Sequence, residues 1–261
     1  MLKLDQVSFH IGNKPILHQV SATFLPGQFY MILGPNGAGK SSLLKLISGE
    51  EETASGAVYY EQLNINQQSK ASLARCRAVL SQLPELHFPL TVEEVVMMGR
   101  YPHFEFNPDQ ADHEVCDEYI RLLNLESFRH RNYLTLSGGE KQRVQFARVL
   151  AQLGRASADE RRYLLLDEPL SSLDINYQQE FLRIARQMLS AGNNLTLIAV
   201  MHDLNLALQF ADEVLLLKEG KLAGKGKPAE LLQPDLIGKV FGVLCSTIPH
   251  PVTGMPVIAF H

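Results

Sequence analysis

One stretch of this chain, Gly34–Ser41, constrains its fold more than any other. It reads Gly-Pro-Asn-Gly-Ala-Gly-Lys-Ser and fits the pattern G-x-x-x-x-G-K-[ST]. It follows the apolar run Phe29–Leu33, which is typical of a buried strand, and it precedes a segment of helical apolar spacing from about Gly39 to Ser48. Residue frequencies alone produce such a match in roughly one chain of this length in a hundred. The strand, turn and helix together predict an α/β fold with a phosphate-binding loop, which we call the phosphate loop (Gly34–Ser41).

The residue types of the phosphate loop suit a polyphosphate. Glycines allow backbone N–H groups to point inward around phosphate oxygens, and the N-terminus of the following helix adds positive potential. We expect Lys40 to reach the β and γ phosphates and Ser41 to place a hydroxyl on Mg²⁺. The alternative is an ordinary flexible glycine turn, which the flanking strand and helix disfavour.

Two carboxylates, Asp167 and Glu168, follow the apolar run Leu164–Leu166. In an open α/β sheet, ligands bind beyond this carboxyl end of the strands. We expect Asp167 to hold Mg²⁺ through water and Glu168 to polarise the attacking water. Taken alone, Asp167-Glu168-Pro169 fits a strand end and a turn equally well. The phosphate loop in the same chain favours the catalytic interpretation.

A third motif, Leu136–Gln142, places Ser137, Gly138 and Gly139 at the start of a predicted helix. A helix N-terminus of this kind is suited to anions. Because one chain rarely needs two phosphate-binding sites, the second is most economically explained as binding a nucleotide held by a different subunit. The alternative is an ordinary N-cap with an acidic first turn.

Hydrophobic periodicity outlines the rest of the chain. Leu2–Phe9 alternates as a half-buried strand, and the pattern becomes helical from about Leu86 to Leu153, a segment that contains a capping box at Thr91–Glu94. Leu195–Met201 is apolar except for Thr196, as is typical of a buried parallel strand, and is followed by His202, which we expect at the same sheet edge as Glu168. We further predict a crossover helix, a hairpin and a short helix, at Tyr177–Met188, Val214–Ala223 and Pro228–Leu232. The pattern predicts an α/β core with a helical subdomain.

Composition excludes several classes of function. Lys and Arg total 24 against 28 Asp and Glu, so no basic excess indicates a nucleic-acid partner. No apolar run exceeds five residues and the N-terminus has no leader pattern, so we expect a protein of the cytoplasm. The three cysteines lack paired spacing, and outside His202 no histidine has metal-site spacing with a carboxylate or thiol, so we expect no zinc or haem site in the chain itself.

Six features along nearly the whole chain resemble those of the nucleotide-binding subunit of ATP-binding cassette transporters: Gly34–Ser41, Gln82, Leu136–Gln142, Leu164–Glu168, Ser172–Asp174 and His202. The resemblance implies a P-loop NTPase core with a parallel sheet, an antiparallel N-terminal β subdomain and an α-helical subdomain insertion. It implies one nucleotide-binding domain over residues 1–261. The ATP-binding core would comprise residues 1–85 and 154–261, and the helical subdomain residues 86–153.

The resemblance also implies the site residues. ATP would be bound in head-to-tail dimers, between the phosphate loop of one copy and Ser137–Gly139 of the other. The nucleotide-binding residues would be Gly34, Pro35, Asn36, Gly37, Ala38, Gly39, Lys40, Ser41, Ser42, Ser137, Gly138, Gly139 and Asp174. Catalysis would involve Glu168, His202 and Gln82, and Mg²⁺ would be held by Ser41, Gln82 and Asp167. By resemblance, Gln82 senses Mg²⁺ and water and links to the permease, Asp174 communicates across the dimer, and His202 contacts the γ-phosphate.

The chain departs from the family pattern at the position of the residue that stacks on adenine. Members of the family usually stack adenine on an aromatic residue just before a glycine, whereas this chain has Ile11 before Gly12. Phe9 and His10 are the expected substitutes.

The resemblance extends to the cargo. Val95–His103 resembles importers of iron-siderophores, haem and cobalamin, and Ala151–Arg162 with Met201–Ala207 is most similar to the haem branch. This implies a haem importer at the cytoplasmic face of the inner membrane, with two transmembrane permease subunits and, indirectly, a periplasmic haem-binding protein. The alternatives are a ferric-siderophore or cobalamin importer, a soluble non-transport ATPase of the same superfamily, and a P-loop kinase, which would have no use for Leu136–Gln142.

Overall fold

The structure, a computed structural model, describes residues 1–81, 86, 88–154, 160–171, 173–190 and 194–261. The strands are β1 (Leu2–Ile11), β2 (Lys14–Phe24), β3 (Phe29–Leu33), β4 (Ser55–Tyr60), β5 (Leu63–Asn64), β6 (Arg77–Leu80), β7 (Arg162–Asp167), β8 (Leu195–Val200), β9 (Glu213–Lys218), β10 (Lys221–Gly226), β11 (Cys245–Pro249) and β12 (Pro256–Phe260). The α-helices are α1 (Lys40–Ser48), α2 (Lys70–Cys76), α3 (Val92–Met97), α4 (Gln110–Leu122), α5 (Gly138–Leu153), α6 (Ile175–Ser190), α7 (Leu204–Phe210), α8 (Pro228–Leu231) and α9 (Pro234–Phe241).

The chain divides into two compact units. The first unit combines Met1–Gln68 with Thr196–His261, and the second unit is Ser69–Leu195. The helical subdomain predicted over residues 86–153 therefore falls within the second unit, and its exact boundaries stay a prediction.

An antiparallel sheet opens the first unit. Its strand order is β2-β1-β4-β5, and Leu2 of β1 lies opposite Phe24 of β2 and Tyr60 of β4. Leu2 and Leu4 of β1 are buried, and after a register shift Val7 and Phe9 are buried, so the predicted period of two holds on each side of the shift. The antiparallel N-terminal β subdomain is confirmed, and β1 extends two residues beyond the predicted Phe9.

The first unit also contains parallel strands. β3 pairs in parallel with β8 on one side and with β9 on the other, and β9 forms an antiparallel hairpin with β10. All five residues of β3 are buried, because a central parallel strand is covered on both faces. The α/β class and the parallel core are confirmed.

The phosphate loop connects β3 to α1. The apolar residues Leu43, Leu44, Leu46 and Ile47 of α1 are buried, and Gly49 ends the helix in the left-handed conformation. The helix begins at Lys40 rather than at the predicted Gly39, because Gly39 has a φ of 97° and cannot be a helical residue.

Helices dominate the second unit. β6 pairs in parallel with β7, and α3, α4 and α5 pack against one another. Three of its helices begin with a complete capping box, at Thr91 with Glu94, Asp109 with Asp112, and Ser137 with Glu140. The predicted helical character of this region is confirmed. No helix among the described residues is both long and apolar enough to cross a lipid bilayer.

Candidate active site

The glycines of the phosphate loop are required by its geometry. A Cβ at Gly34 would lie 2.2 Å from the carbonyl oxygen of Leu217, and a Cβ at Gly39 would lie 2.7 Å from Leu17 Cδ2. Gly37 has a φ of 79° and faces open space. The loop therefore packs closely on its outer side against β9 and β2, and its backbone adopts conformations that glycine reaches without strain.

Lys40 lies within this loop. Its side chain is buried, with 5% exposure, and Nζ donates to the carbonyl oxygens of Gly34 (2.9 Å) and Pro35 (3.1 Å). Ser41 and Ser42 follow in the first turn of α1 and are half-buried. An ammonium group held inside a glycine turn at a helix N-terminus fits the phosphates of a nucleotide.

His202 follows the strand that neighbours the phosphate loop. Ile32 of β3 lies opposite Val200 of β8, and the Met201 amide donates to the Ile32 carbonyl at 3.1 Å. Because β3 and β8 are parallel, Gly34 and His202 both follow the carboxyl ends of adjacent strands. The His202 side chain is exposed there. The structure thus brings the predicted phosphate loop and His202 to one edge of the sheet in the first unit.

The second unit contains the two predicted carboxylates. Asp167 ends β7 and Glu168 follows it, and both are half-buried. Glu168 has a φ of 50°, a left-handed conformation that costs a residue with a Cβ about 1–2 kcal/mol. Strained backbone at a non-glycine residue is found preferentially at functional sites, which supports the interpretation of Glu168 as a functional carboxylate.

Ser137 caps the N-terminus of α5. Its hydroxyl accepts from the Glu140 amide at 3.3 Å, and its amide donates to Glu140 Oε2 at 2.7 Å. Hydrogen bonds to the Glu140 carboxyl, first from the Ser137 backbone amide and then from the Ser137 side chain, lower the pKa of this carboxyl. Ser137 and Gly138 are exposed, and a Cβ at Gly138 would meet nothing within 4 Å. The helix N-terminus is therefore open to a ligand.

Asp174 immediately precedes α6 in the same unit. Its Oδ1 accepts from the Tyr177 amide at 3.0 Å, and its side chain is exposed. Gln178 Nε2 donates to the carbonyl oxygens of Leu170 (3.3 Å) and Leu173 (3.0 Å), which holds the connection from β7 to α6. Leu173 Cδ2 lies 3.7 Å from the Cβ position of Gly139, so this connection lies beside the N-terminus of α5.

Two predicted residues fall outside the described part of the chain. These are Gln82 and Ser172, and residues 155–159 of the stretch Ala151–Arg162 also lie outside it. At the adenine position, Ile11 is 61% exposed, whereas Phe9 is only 8% exposed in the core and offers no free ring face. His10 is exposed and remains a candidate for the adenine contact.

Sequence reasoning overlooked Arg143, which lies one turn after Glu140 on α5. Its guanidinium lies 4.9 Å from the ring centroid of Tyr177 on α6 and 5.8 Å from that of Phe128. These cation–π contacts connect α5 to the helix that begins next to Asp174. No periodic signal in the sequence indicates such a contact, because its partners lie on other elements.

Comparison with known proteins identifies the family to which this chain belongs. Residues 17–171 match the protein-family model described as ABC transporter, and this chain belongs to that family. Membership implies that the chain binds ATP and has ATPase activity.

Individual relatives are similar over nearly their full length. The chain is 43% identical to the hemin import ATP-binding protein HmuV of Bordetella avium (strain 197N), covering 96% of this chain and 95% of the relative. It is 42% identical to the protein of the same name from Gloeobacter violaceus, covering 99% and 93%.

Solved structures share the fold. A metal-chelate type ABC transporter in an inward-facing conformation has a TM-score of 0.82 at 23% identity, covering all of this chain and 96% of that one. The dimeric structure of the bacterial ABC transporter cassette MJ0796 has a TM-score of 0.74 at 26% identity, covering 87% and 99%.

Proposed function

We propose that this protein is the ATP-hydrolysing subunit of a haem importer. The observation that carries the proposal is the likeness to hemin import ATP-binding proteins over nearly the whole of both chains. It is supported by the strand, glycine turn and buried Lys40 of the phosphate loop. Import of a ferric siderophore or of cobalamin is the second candidate, because Val95–His103 resembles all three groups of importers.

Within one subunit, we assign ATP binding to the phosphate loop with Ser42. Lys40 would neutralise charge on the β and γ phosphates, and His202 would contact the γ-phosphate. Glu168 would accept a proton from a water molecule while the oxygen of that water bonds to the γ-phosphorus. The bond between the γ-phosphorus and the β-phosphate oxygen would break at the same time, which releases ADP.

The donor set also fits Mg²⁺. Ser41 offers a hydroxyl and Asp167 a carboxylate, and hard oxygen ligands of this kind are those that Mg²⁺ prefers. Gln82 would complete the set. When bound, the ion supplies positive charge to the phosphate oxygens.

A second copy would contribute Ser137, Gly138 and Gly139 to each nucleotide, and Asp174 would communicate across the dimer. The open N-terminus of α5 supports this role, since exposed helix N–H groups bind phosphate oxygens. A nucleotide that bridges two subunits favours the closed dimer, and hydrolysis removes that preference.

The closed and open dimers would drive two transmembrane permease subunits. The protein would therefore lie at the cytoplasmic face of the inner membrane, and a periplasmic haem-binding protein would deliver the cargo. Among the described residues no group of three or more histidine, cysteine or acidic side chains is arranged to hold a metal ion. Haem would be bound by the permease and the binding protein, because the cargo crosses the membrane through the permease.

The test is uptake into vesicles that contain the permease and this subunit, supplied with the binding protein. We expect haem uptake that requires ATP and is lost with Glu168→Gln, which keeps the shape of the side chain but removes its basicity. Hydrolysis by this variant should fall by at least ~10²–10⁴-fold. ATP-independent haem uptake together with ATP-driven transport of a siderophore or cobalamin would reject haem as cargo and retain the importer. Hydrolysis near the wild-type rate would reject the role of Glu168.

A further inference from the structure

Side chains donate hydrogen bonds to the last three carbonyls of α5 and to the carbonyl of Gly154, which follows it. The last carbonyls of a helix have no partner within the helix, and cationic side chains stabilise that end. Here the donors come from three residues outside α5. The contacts are Arg100 Nη1 to Ala151 O (2.8 Å) and Gly154 O (3.2 Å), His103 Nε2 to Gln152 O (2.8 Å), and Arg162 Nη1 to Leu153 O (2.6 Å). We call these donors and carbonyls the α5 C-terminal cluster.

Arg100 is the centre of this cluster. It is 6% exposed, and its Nε donates at 2.8 Å to Oδ1 of Asp112, which is 4% exposed. Burial raises the pKa of the Asp112 carboxyl, but the hydrogen bonds from Arg100 and the Asp109 amide and the charge of Arg100 outweigh burial and hold this pKa below its usual value. Because Asp112 also closes the capping box of α4, one guanidinium connects the first turn of α4 to the last turn of α5.

The same end of α5 is held on its other sides. A Cβ at Gly99 would lie 2.1 Å from the Arg148 carbonyl oxygen, so the segment Met98–His103 lies directly against the α5 backbone. Gln152 Nε2 donates to the carbonyl oxygens of Ala74 (2.8 Å) and Arg77 (2.9 Å), which connects α5 to α2 and β6. The C-terminal end of α5 is thus fixed to its neighbours through directional hydrogen bonds.

The N-terminal end of α5 begins at Gly138, and Ser137 caps it. A 16-residue helix that is buried along one side from Gln142 to Leu153 moves as a rigid element, so the orientation of its C-terminal end determines where Ser137, Gly138 and Gly139 lie. We propose that Arg100 is a positioning residue for ATP hydrolysis: by holding the C-terminal end of α5 to Asp112, it places Ser137–Gly139 for the nucleotide bound on a second copy of the chain. This inference rests on the proposed function.

The consequence is that a substitution of Arg100 in one subunit should impair the nucleotide site that contains the phosphate loop of the other subunit. If Arg100 positions Ser137–Gly139, an Arg100 variant damages the site that belongs to the phosphate loop of its partner and leaves its own phosphate loop intact. If Arg100 only stabilises the fold, or acts through β7 and Glu168 of its own chain, the damage stays with its own site. Mixed dimers separate these possibilities.

The experiment uses full-length subunits with two different affinity tags, purified in tandem as heterodimers. Arg100→Met homodimers should have a KM for ATP raised by about 2- to 30-fold, in keeping with measured losses of coupling between sites. Lys40→Ala homodimers should be inactive. A heterodimer of the two variants has one site with an intact phosphate loop and an intact Ser137–Gly139, and we expect the wild-type KM to return in that site.

Controls separate this inference from the proposed function. A heterodimer of Ser137→Arg with Lys40→Ala should also recover activity. If it does not, the shared site is wrong and the role of Arg100 falls with it. If it recovers but the Arg100→Met pair keeps the raised KM, the shared site survives and our inference is overturned. An unchanged KM in Arg100→Met homodimers overturns it as well.

Two further variants guard against a folding defect. Arg100→Met leaves the Asp112 carboxylate buried without its partner. The double variant Arg100→Met/Asp112→Leu removes both charges and is measured alongside it. This double variant should show the same rise in KM in the homodimer and the same recovery in the heterodimer. Arg75 is the matched control, because its Nε donates to Pro102 O at 2.8 Å in the same segment rather than to a carbonyl of α5. Arg75→Met should leave the KM unchanged.

Discussion

At the residue scale, Glu168 has a proposed catalytic carboxylate, and its backbone has a positive φ, a conformation that glycine adopts without strain. We predict that Glu168→Gly is more stable to unfolding than Glu168→Ala by about 0.5–1 kcal/mol, since relief of left-handed strain outweighs the entropy of glycine. Urea unfolding of both variants measures the difference. In the middle of α4, Glu118→Gly should instead be less stable than Glu118→Ala by about 1 kcal/mol. If the glycine variant were less stable than the alanine variant at both positions, the backbone of Glu168 would not be strained.

His103 gives the second residue-scale prediction. Burial lowers its pKa below the ordinary value of 6.5, and the Arg100 guanidinium adds to this, whereas the Gln152 carbonyl and Asp112 oppose it. The unfolded chain therefore binds more protons than the folded chain as the pH falls through 6.5, and the free energy of unfolding should decrease with it. His103→Gln keeps a donor for the Gln152 carbonyl but does not titrate. We expect a flatter dependence of unfolding on pH in this variant between pH 7 and about 5, and an unchanged slope would contradict the role of His103.

At the element scale, two helices begin with the same capping box but differ in proposed function. Thr91 caps α3 and Ser137 caps α5, each with a glutamate that returns the hydrogen bond. Thr91→Ala and Ser137→Ala should each lower the free energy of unfolding by about 1 kcal/mol. Only Ser137→Ala should also slow ATP hydrolysis, because only that helix end is proposed to bind a nucleotide. Equal hydrolysis by the two variants would argue against that role.

Elements differed in how far they could be predicted. β3, α1 and the β9–β10 hairpin were predicted correctly, because each has a local signal of buried runs, helical spacing or a Glu-Gly turn. The strand β2 and the hairpin of β11 and β12 were not predicted. Four of the five residues of β11 are exposed, so this strand shows no clean alternation of apolar and polar residues. In β2 only the second half, Val20–Phe24, alternates between buried apolar and more exposed polar residues, and the first half is mostly exposed.

At the scale of the whole molecule, the proposal requires a second copy of the chain. Glu168→Gln should bind ATP without completing hydrolysis, so we expect it to elute as a dimer in size-exclusion chromatography with ATP and as a monomer with ADP. Lys40→Ala should remain monomeric with either nucleotide, because the ammonium inside the phosphate loop is removed. A nucleotide-independent dimer, or no dimer with ATP, would contradict a nucleotide that bridges two subunits.

The sequence by itself determined the phosphate loop, its flanking strand and helix, and the capping box at Thr91. These features depend on chain neighbours, since turn glycines, cap residues and hydrophobic periodicity act over a few residues. Tertiary structure alone decided that Arg100 pairs with Asp112 and caps the end of α5, that Phe9 is buried, and that Glu168 adopts a left-handed backbone. The reason is physical: a buried charge must find its partner, and a strained residue its support, on elements that only folding brings together.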